Sequence, residues 1–164
     1  MNNIDAANAA SGKVYRVVQW AAGRIGQSAM RAVIRHPGLD LVGLNVHSAS
    51  KEGRDAGALC GLDPIGVAAT RGIDKVIALK PDCVLYMQEG YNVDDLCLLL
   101  QSGINLITTR SEFFSPKLMD QQARERIEAA CQKGCASLFA TGSSPGFSTV
   151  VLPLGNGLTV GKCP

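Results

Sequence analysis

The run Gln19-Trp20-Ala21-Ala22-Gly23-Arg24-Ile25-Gly26 has the spacing G-x-G-x-x-G, with alanine in the first place. Where a strand turns into a helix, this spacing lets backbone N–H groups hold a pyrophosphate at the helix N-terminus. Gly23 leaves room for close approach of the phosphates, and Gly26 lets the helix pack against the strand. Ala22, Arg24 and Ile25 complete the loop. Ala21 stands where a glycine would relax the tight turn, and a small side chain fits there if its φ stays negative. Any tight strand–helix turn uses glycines, so the spacing alone is as readily a plain turn. Its place after the first strand of an alternating chain favours the dinucleotide.

A second cluster follows about 20 residues later, where a dinucleotide site reads the adenosine ribose. An NAD-specific site offers Asp or Glu there. This chain instead has Asn45-Val46-His47-Ser48-Ala49-Ser50-Lys51, with Arg54 beyond. His47, Ser48 and Lys51 can meet a 2′-phosphate, and the missing carboxylate favours NADP(H), with NAD(H) as the second choice. Lys51 and Arg54 are equally well read as parts of a solvated loop.

The surrounding elements alternate. Residues 14–20 are β-rich, and residues 25–36 carry apolar side chains at Ile25, Ala29, Met30, Val33 and Ile34 before Pro37-Gly38 ends the helix. Strands are expected at 39–46 and 67–70, then a short helix at 73–79. The apolar run at 82–87 reads as a strand buried on both faces. Asn92 can cap a helix running to Gln101, with Leu96, Leu99 and Leu100 inward and Gly103 as its stop. A strand at 104–109 precedes a helix starting at Ser115-Pro116 and running to Gly134, with Leu118, Ala123, Ile127, Ala130 and Cys131 as its stripe. A last strand is expected at 136–140. Six strands alternating with helices give a doubly wound α/β fold, its sheet mostly parallel and its helices on both faces.

Composition narrows the alternatives. Hydrophobic residues make up 46% and charged residues 18% of 164, which argues against disorder. Sixteen basic and fourteen acidic side chains form no basic run, so nucleic acid is not an expected partner. The apolar stretches at 96–100 and 150–154 are too short to span a bilayer. Residues 1–12 lack a basic n-region and an apolar core, which reads as a disordered leader rather than a secretory signal. Six cysteines with no Cys-x-x-Cys pair suit apolar fillers in a reducing cytoplasm, and no metal site is expected.

Several segments together resemble a family: residues 17–26, Gly53-Arg54-Asp55-Ala56-Gly57, Gly66-Val67, residues 103–109, and Thr141-Gly142-Ser143-Ser144-Pro145-Gly146-Phe147. They are similar to the N-terminal domain of dihydrodipicolinate reductase and its relatives, including diaminopentanoate dehydrogenase and NAD(P)-dependent amine dehydrogenases. The resemblance covers roughly 14–154. It implies a Rossmann-type dinucleotide-binding domain at 13–154 with an irregular tail at 155–164. It also implies an oxidoreductase that passes a hydride to a C=N or C=O bond of a small imine or carbonyl substrate. By the same resemblance Thr108-Thr109 lies beside the nicotinamide ribose, and Ser144 and Gly146 contact the carboxamide. Threonine at a strand end and Ser-Ser-Pro-Gly as a turn are the plain readings of those residues. Glu112 resembles the carboxylate that holds or deprotonates the amine, or else is an acid favoured before a helix. The family's C-terminal substrate domain is not found in this sequence. The chain alone is therefore expected to be inactive, with homo-oligomers only where that domain is present; the alternative function is a nucleotide-binding fragment without catalysis.

Overall fold

The computed structural model describes residues 12–142 apart from 116 and 118. The leader expected at 1–12 therefore lies outside the described residues except for Gly12, as does the tail. Six strands run in the order β1 (Tyr15–Trp20), β2 (Leu39–Asn45), β3 (Ala69–Thr70), β4 (Cys83–Tyr86), β5 (Asn105–Thr108) and β6 (Leu138–Ala140). Between them lie α1 (Arg24–Arg35), α2 (Ala56–Leu59), α3 (Ile73–Ala78), α4 (Val93–Gln101) and α5 (Gln121–Gly134). The sheet order is β3-β2-β1-β4-β5-β6, and every pair is parallel. Strand order thus reverses between β1 and β4, the crevice where open α/β sheets bind ligands.

Two apolar clusters sandwich the sheet. Val18, Trp20, Val84, Tyr86 and Leu106 meet Val76 of α3, Leu96, Leu99 and Leu100 of α4, and Ile127 and Ala130 of α5. Val17, Leu41 and Leu44 meet Met30 and Val33 of α1 and Ala56 of α2 on the other face. The described residues cover only half of that second face. Beyond α1 a groove of about 430 Å³ opens over Tyr15, Val17, Leu85, Ile107 and Phe139. The strand expected to be buried on both faces is accordingly half open: Val84 and Tyr86 are sealed, while Cys83 and Leu85 are partly exposed.

Three boundaries depart from the sequence expectation. The strand expected at 67–70 is only the pair Ala69–Thr70. The last helix begins at Gln121 rather than at Ser115-Pro116. Asp120 caps it by accepting the Ala123 N–H at 2.9 Å, and a 3-10 turn at Ser111–Phe113 precedes it and buries Phe113. Leu118 and Pro116 lie outside the described residues. Gly134 does not stop that helix. Cys135 does, adopting φ +50, while Gly134 permits contact with α4: a Cβ there would stand 1.8 Å from the Leu100 carbonyl oxygen. Ile25, assigned to the inward stripe of α1, is 55% exposed beside the glycine turn.

Candidate functional site

At the carboxyl edge of the sheet one register row crosses all six strands: Thr70, Asn45, Trp20, Tyr86, Thr108 and Ala140. The loops that follow these residues form one rim. Three strand spacings separate Asn45 from Thr108, about 14 Å along the rim.

The glycine turn sits at the centre. Ala21 has φ +74, in the left-handed region, contrary to the negative φ expected from its side chain. That conformation costs a non-glycine residue about 1–2 kcal/mol and persists only where surroundings impose it. Here the Ala21 N–H donates to the Asn45 carbonyl at 2.8 Å. The carboxamide of Gln19, fully buried in β1, donates to the carbonyls of Trp20 at 3.0 Å and Ala21 at 2.9 Å.

The two glycines then divide the work. A Cβ on Gly26 would lie 2.1 Å from the Ala21 carbonyl oxygen, so helix and turn meet only through glycine. A Cβ on Gly23 would meet nothing within 4 Å, and its φ of −77 suits any residue. Nothing among the described residues asks for glycine at 23. Gly23 is the N-cap of α1 and provides no side-chain cap, and no acid stands in the helix's first turn. The helices α4 and α5, by contrast, are capped by Asn92 and Asp120. Leading N–H groups of α1 thus point outward uncapped, with the positive end of the helix dipole behind them. Arg24 is exposed beside them, and Lys51 Nζ donates to the Ala22 carbonyl at 2.9 Å, placing an ammonium over the turn.

At the end of β2, Asn45 is buried, and beyond it Val46 is buried and His47 exposed. The Trp20 Nε1–H donates to Gln88 Oε1 at 2.8 Å, and Gln88 Nε2 donates to the Tyr86 hydroxyl at 2.5 Å. Gln88 Oε1 is therefore the acceptor, and His47 Nε2, at 2.6 Å, must carry the proton it shares with it. Tyr86 also accepts the Asn92 N–H, and burial pushes its pKa up to about 12. This network walls a cleft of about 410 Å³ lined by Trp20, Asn45, His47, Arg71, Ile73 and Asp95. Burial raises the Asp95 pKa, and His47 partly offsets that rise. Ser48 pairs its hydroxyl with that of Ser50 at 2.7 Å.

At the other end of the rim Thr108 is fully buried, its hydroxyl accepting the Arg110 N–H at 3.2 Å. Thr109 is the partly exposed member of the pair. Glu112 forms an ion pair with Arg110, whose guanidinium hydrogen bond holds its carboxyl below the usual carboxylate range. The Ser111 hydroxyl adds a donor at 3.3 Å. Ser144 and Gly146 lie outside the described residues. Gln19, Gln88 and Arg110 were missed by the sequence reading. For Gln19 the signal was present, as a polar residue inside the apolar strand Val17-Val18-Gln19-Trp20. Among the described residues no group of three or more His, Cys, Asp or Glu could hold a metal ion, and no helix is long and apolar enough to cross a membrane.

Comparison with known proteins gives the same picture. The family described as "Dihydrodipicolinate reductase, N-terminus" matches residues 16–140. An amine dehydrogenase of Streptomyces virginiae is 36% identical over 144 residues, 84% of this chain and 40% of the relative. A 4-hydroxy-tetrahydrodipicolinate reductase of an Anaeromyxobacter species is 31% identical over 117 residues, 71% of this chain and 41% of the relative. An amine dehydrogenase structure from Mycobacterium smegmatis superposes with a TM-score of 0.76 at 24% identity, covering 86% of this chain and 44% of that one. The fold recurs in an engineered D-amino acid dehydrogenase bound to NADP+, with a TM-score of 0.61 at 16% identity over 89% of this chain and 42% of that one. The chain spans about 40% of the length of the curated relatives described here.

Proposed function

Because the chain belongs to the family of dihydrodipicolinate reductase N-terminal domains, we propose that it is the NADP(H)-binding part of an oxidoreductase acting on a C=N or C=O bond. The observation that carries the reading is Gly23, a glycine that no contact among the described residues requires, at an uncapped helix N-terminus in the β1–β4 crevice. The residues fit the group. Backbone N–H groups from Ala22 to Gly26 would hold the pyrophosphate. Lys51 and Ser48 would meet the 2′-phosphate, with no carboxylate between Asn45 and Lys51 to repel it. Thr109 would flank the nicotinamide end. When bound, the nicotinamide supplies the hydride, and the chain's residues orient it.

Glu112 would act on the substrate side. Paired with Arg110 and held ionised, it suits stabilising a substrate's iminium or ammonium charge better than donating a proton, which needs a pKa near the working pH. The amine-dehydrogenase branch is favoured by the longer match to that relative. We read residues 13–154 as the cofactor domain and the protein as cytoplasmic, consistent with free cysteines at 60, 83, 97, 131 and 135.

Fluorescence titration with NADPH and NADH tests the proposal. Tighter binding of NADPH is expected. Tighter NADH binding overturns the preference, and binding of neither overturns the cofactor reading itself.

A further inference from the structure

Gln19 is a buried carboxamide beside the apolar Val17, Val18 and Trp20 of β1, and it lies directly beneath the glycine turn. Both acceptors it serves are turn carbonyls, those of Trp20 and Ala21. Its own Oε1 is buried without a partner among the described residues. The reverse orientation of the amide would set that oxygen against two carbonyl oxygens, so the donor side fixes it. The same Ala21 carbonyl sits where a Cβ on Gly26 would fall, and Gln19 Nε2 is 3.0 Å from that point. Strand, turn and helix α1 therefore meet at a single amide.

Ala21 meanwhile keeps a left-handed φ of +74 with no glycine to ease it. We propose that Gln19 is the positioning residue of the cofactor turn: it turns the Trp20 and Ala21 carbonyls inward and so holds Ala21 in the conformation that leaves the α1 N–H groups facing outward. The proposal rests on the dinucleotide-binding reading for its consequence, though not for its geometry. Without Gln19, Ala21 relaxes toward negative φ, and the population competent to bind falls with it. A glycine at 21 has no such preference, so the turn would then need less holding.

A double-mutant cycle reads this directly. Gln19→Met, which keeps the length and removes the donors, is made in the wild-type and Ala21→Gly backgrounds. NADPH affinity and the urea midpoint are measured for all four proteins. The substitution is expected to weaken NADPH roughly tenfold in the wild-type background and less than about threefold in the Ala21→Gly background, with the same sign of coupling in urea. Equal losses in both backgrounds overturn the assignment, and so does no loss in either. If Gln19→Met fails to fold, recovery of folding by the added Ala21→Gly supports the proposal. Failure of the double variant as well makes Gln19 an ordinary core residue and overturns it. If the wild type binds no nucleotide, the urea coupling still decides the Gln19 assignment, while the cofactor reading falls on its own.

Discussion

Gly23 and Gly26 look alike in the sequence and differ in what they meet. Gly23→Val adds a side chain in open space, at a backbone conformation valine accepts, and so leaves folding intact. It fills the place of the pyrophosphate, and NADPH affinity is expected to fall by at least about 100-fold, roughly 2.7 kcal/mol. Normal NADPH binding with unchanged circular dichroism would make the turn merely structural. Gly26→Ala meets the Ala21 carbonyl at 2.1 Å and should lower stability by about 1–3 kcal/mol as well as binding. Lys51→Ala removes the ammonium beside Ala22, and titration should show about a tenfold loss for NADPH and little for NADH. The types of these residues were legible in the sequence, since spacing states where glycine and charge fall. Backbone angles were not. That Ala21 takes φ +74 goes with a hydrogen bond to the Asn45 carbonyl, 24 positions away, a contact that no local pattern records.

Helices and strands were legible where periodicity was long, as in α1 and α4, and where a cap was explicit. Asn92 accepts N–H groups of Asp94 at 2.8 Å and Asp95 at 3.3 Å, so Asn92→Ala should cost about 1 kcal/mol, read from the urea midpoint. The start of α5 was misplaced because Ser115-Pro116 and Asp120 both satisfy the start rule, and it is the Asp120 side chain that accepts a first-turn N–H, that of Ala123. Between elements, Asp82 ties β4 to β1 by accepting the Arg16 N–H at 2.8 Å. That hydrogen bond, followed by Lys13, lowers its pKa from the ordinary 3.8. A lowered folded pKa means stability that is complete above the unfolded value and is lost as pH falls through the folded one. The midpoint difference between wild type and Asp82→Asn should therefore be constant near pH 7 and vanish in acid, below 3.8. A difference that persists or grows in acid would refute the link.

For the whole molecule, strand order decides what the chain can do by itself. The reversal between β1 and β4 places the glycine turn, the Trp20–Gln88–His47 network and Glu112 on one rim, so a dinucleotide can lie along a single edge. The dinucleotide-binding reading places the cofactor on that edge. Hydride transfer needs more, since the acceptor carbon must be fixed about 3–3.5 Å from the nicotinamide, in a place closed to water. Around the described rim Arg24, Ile25, His47 and Ser48 are exposed, so the described edge does not itself enclose an acceptor. NADPH is therefore expected to bind without being consumed: its oxidation in the presence of dihydrodipicolinate, or of small ketones with ammonia, should not exceed the rate without protein. Robust oxidation with any of these would show that the rim suffices for catalysis. In that event Glu112→Gln separates the roles of the carboxylate. A charge that holds an iminium is lost with the amide, so reduction in the presence of ammonia should fall while NADPH affinity stays unchanged.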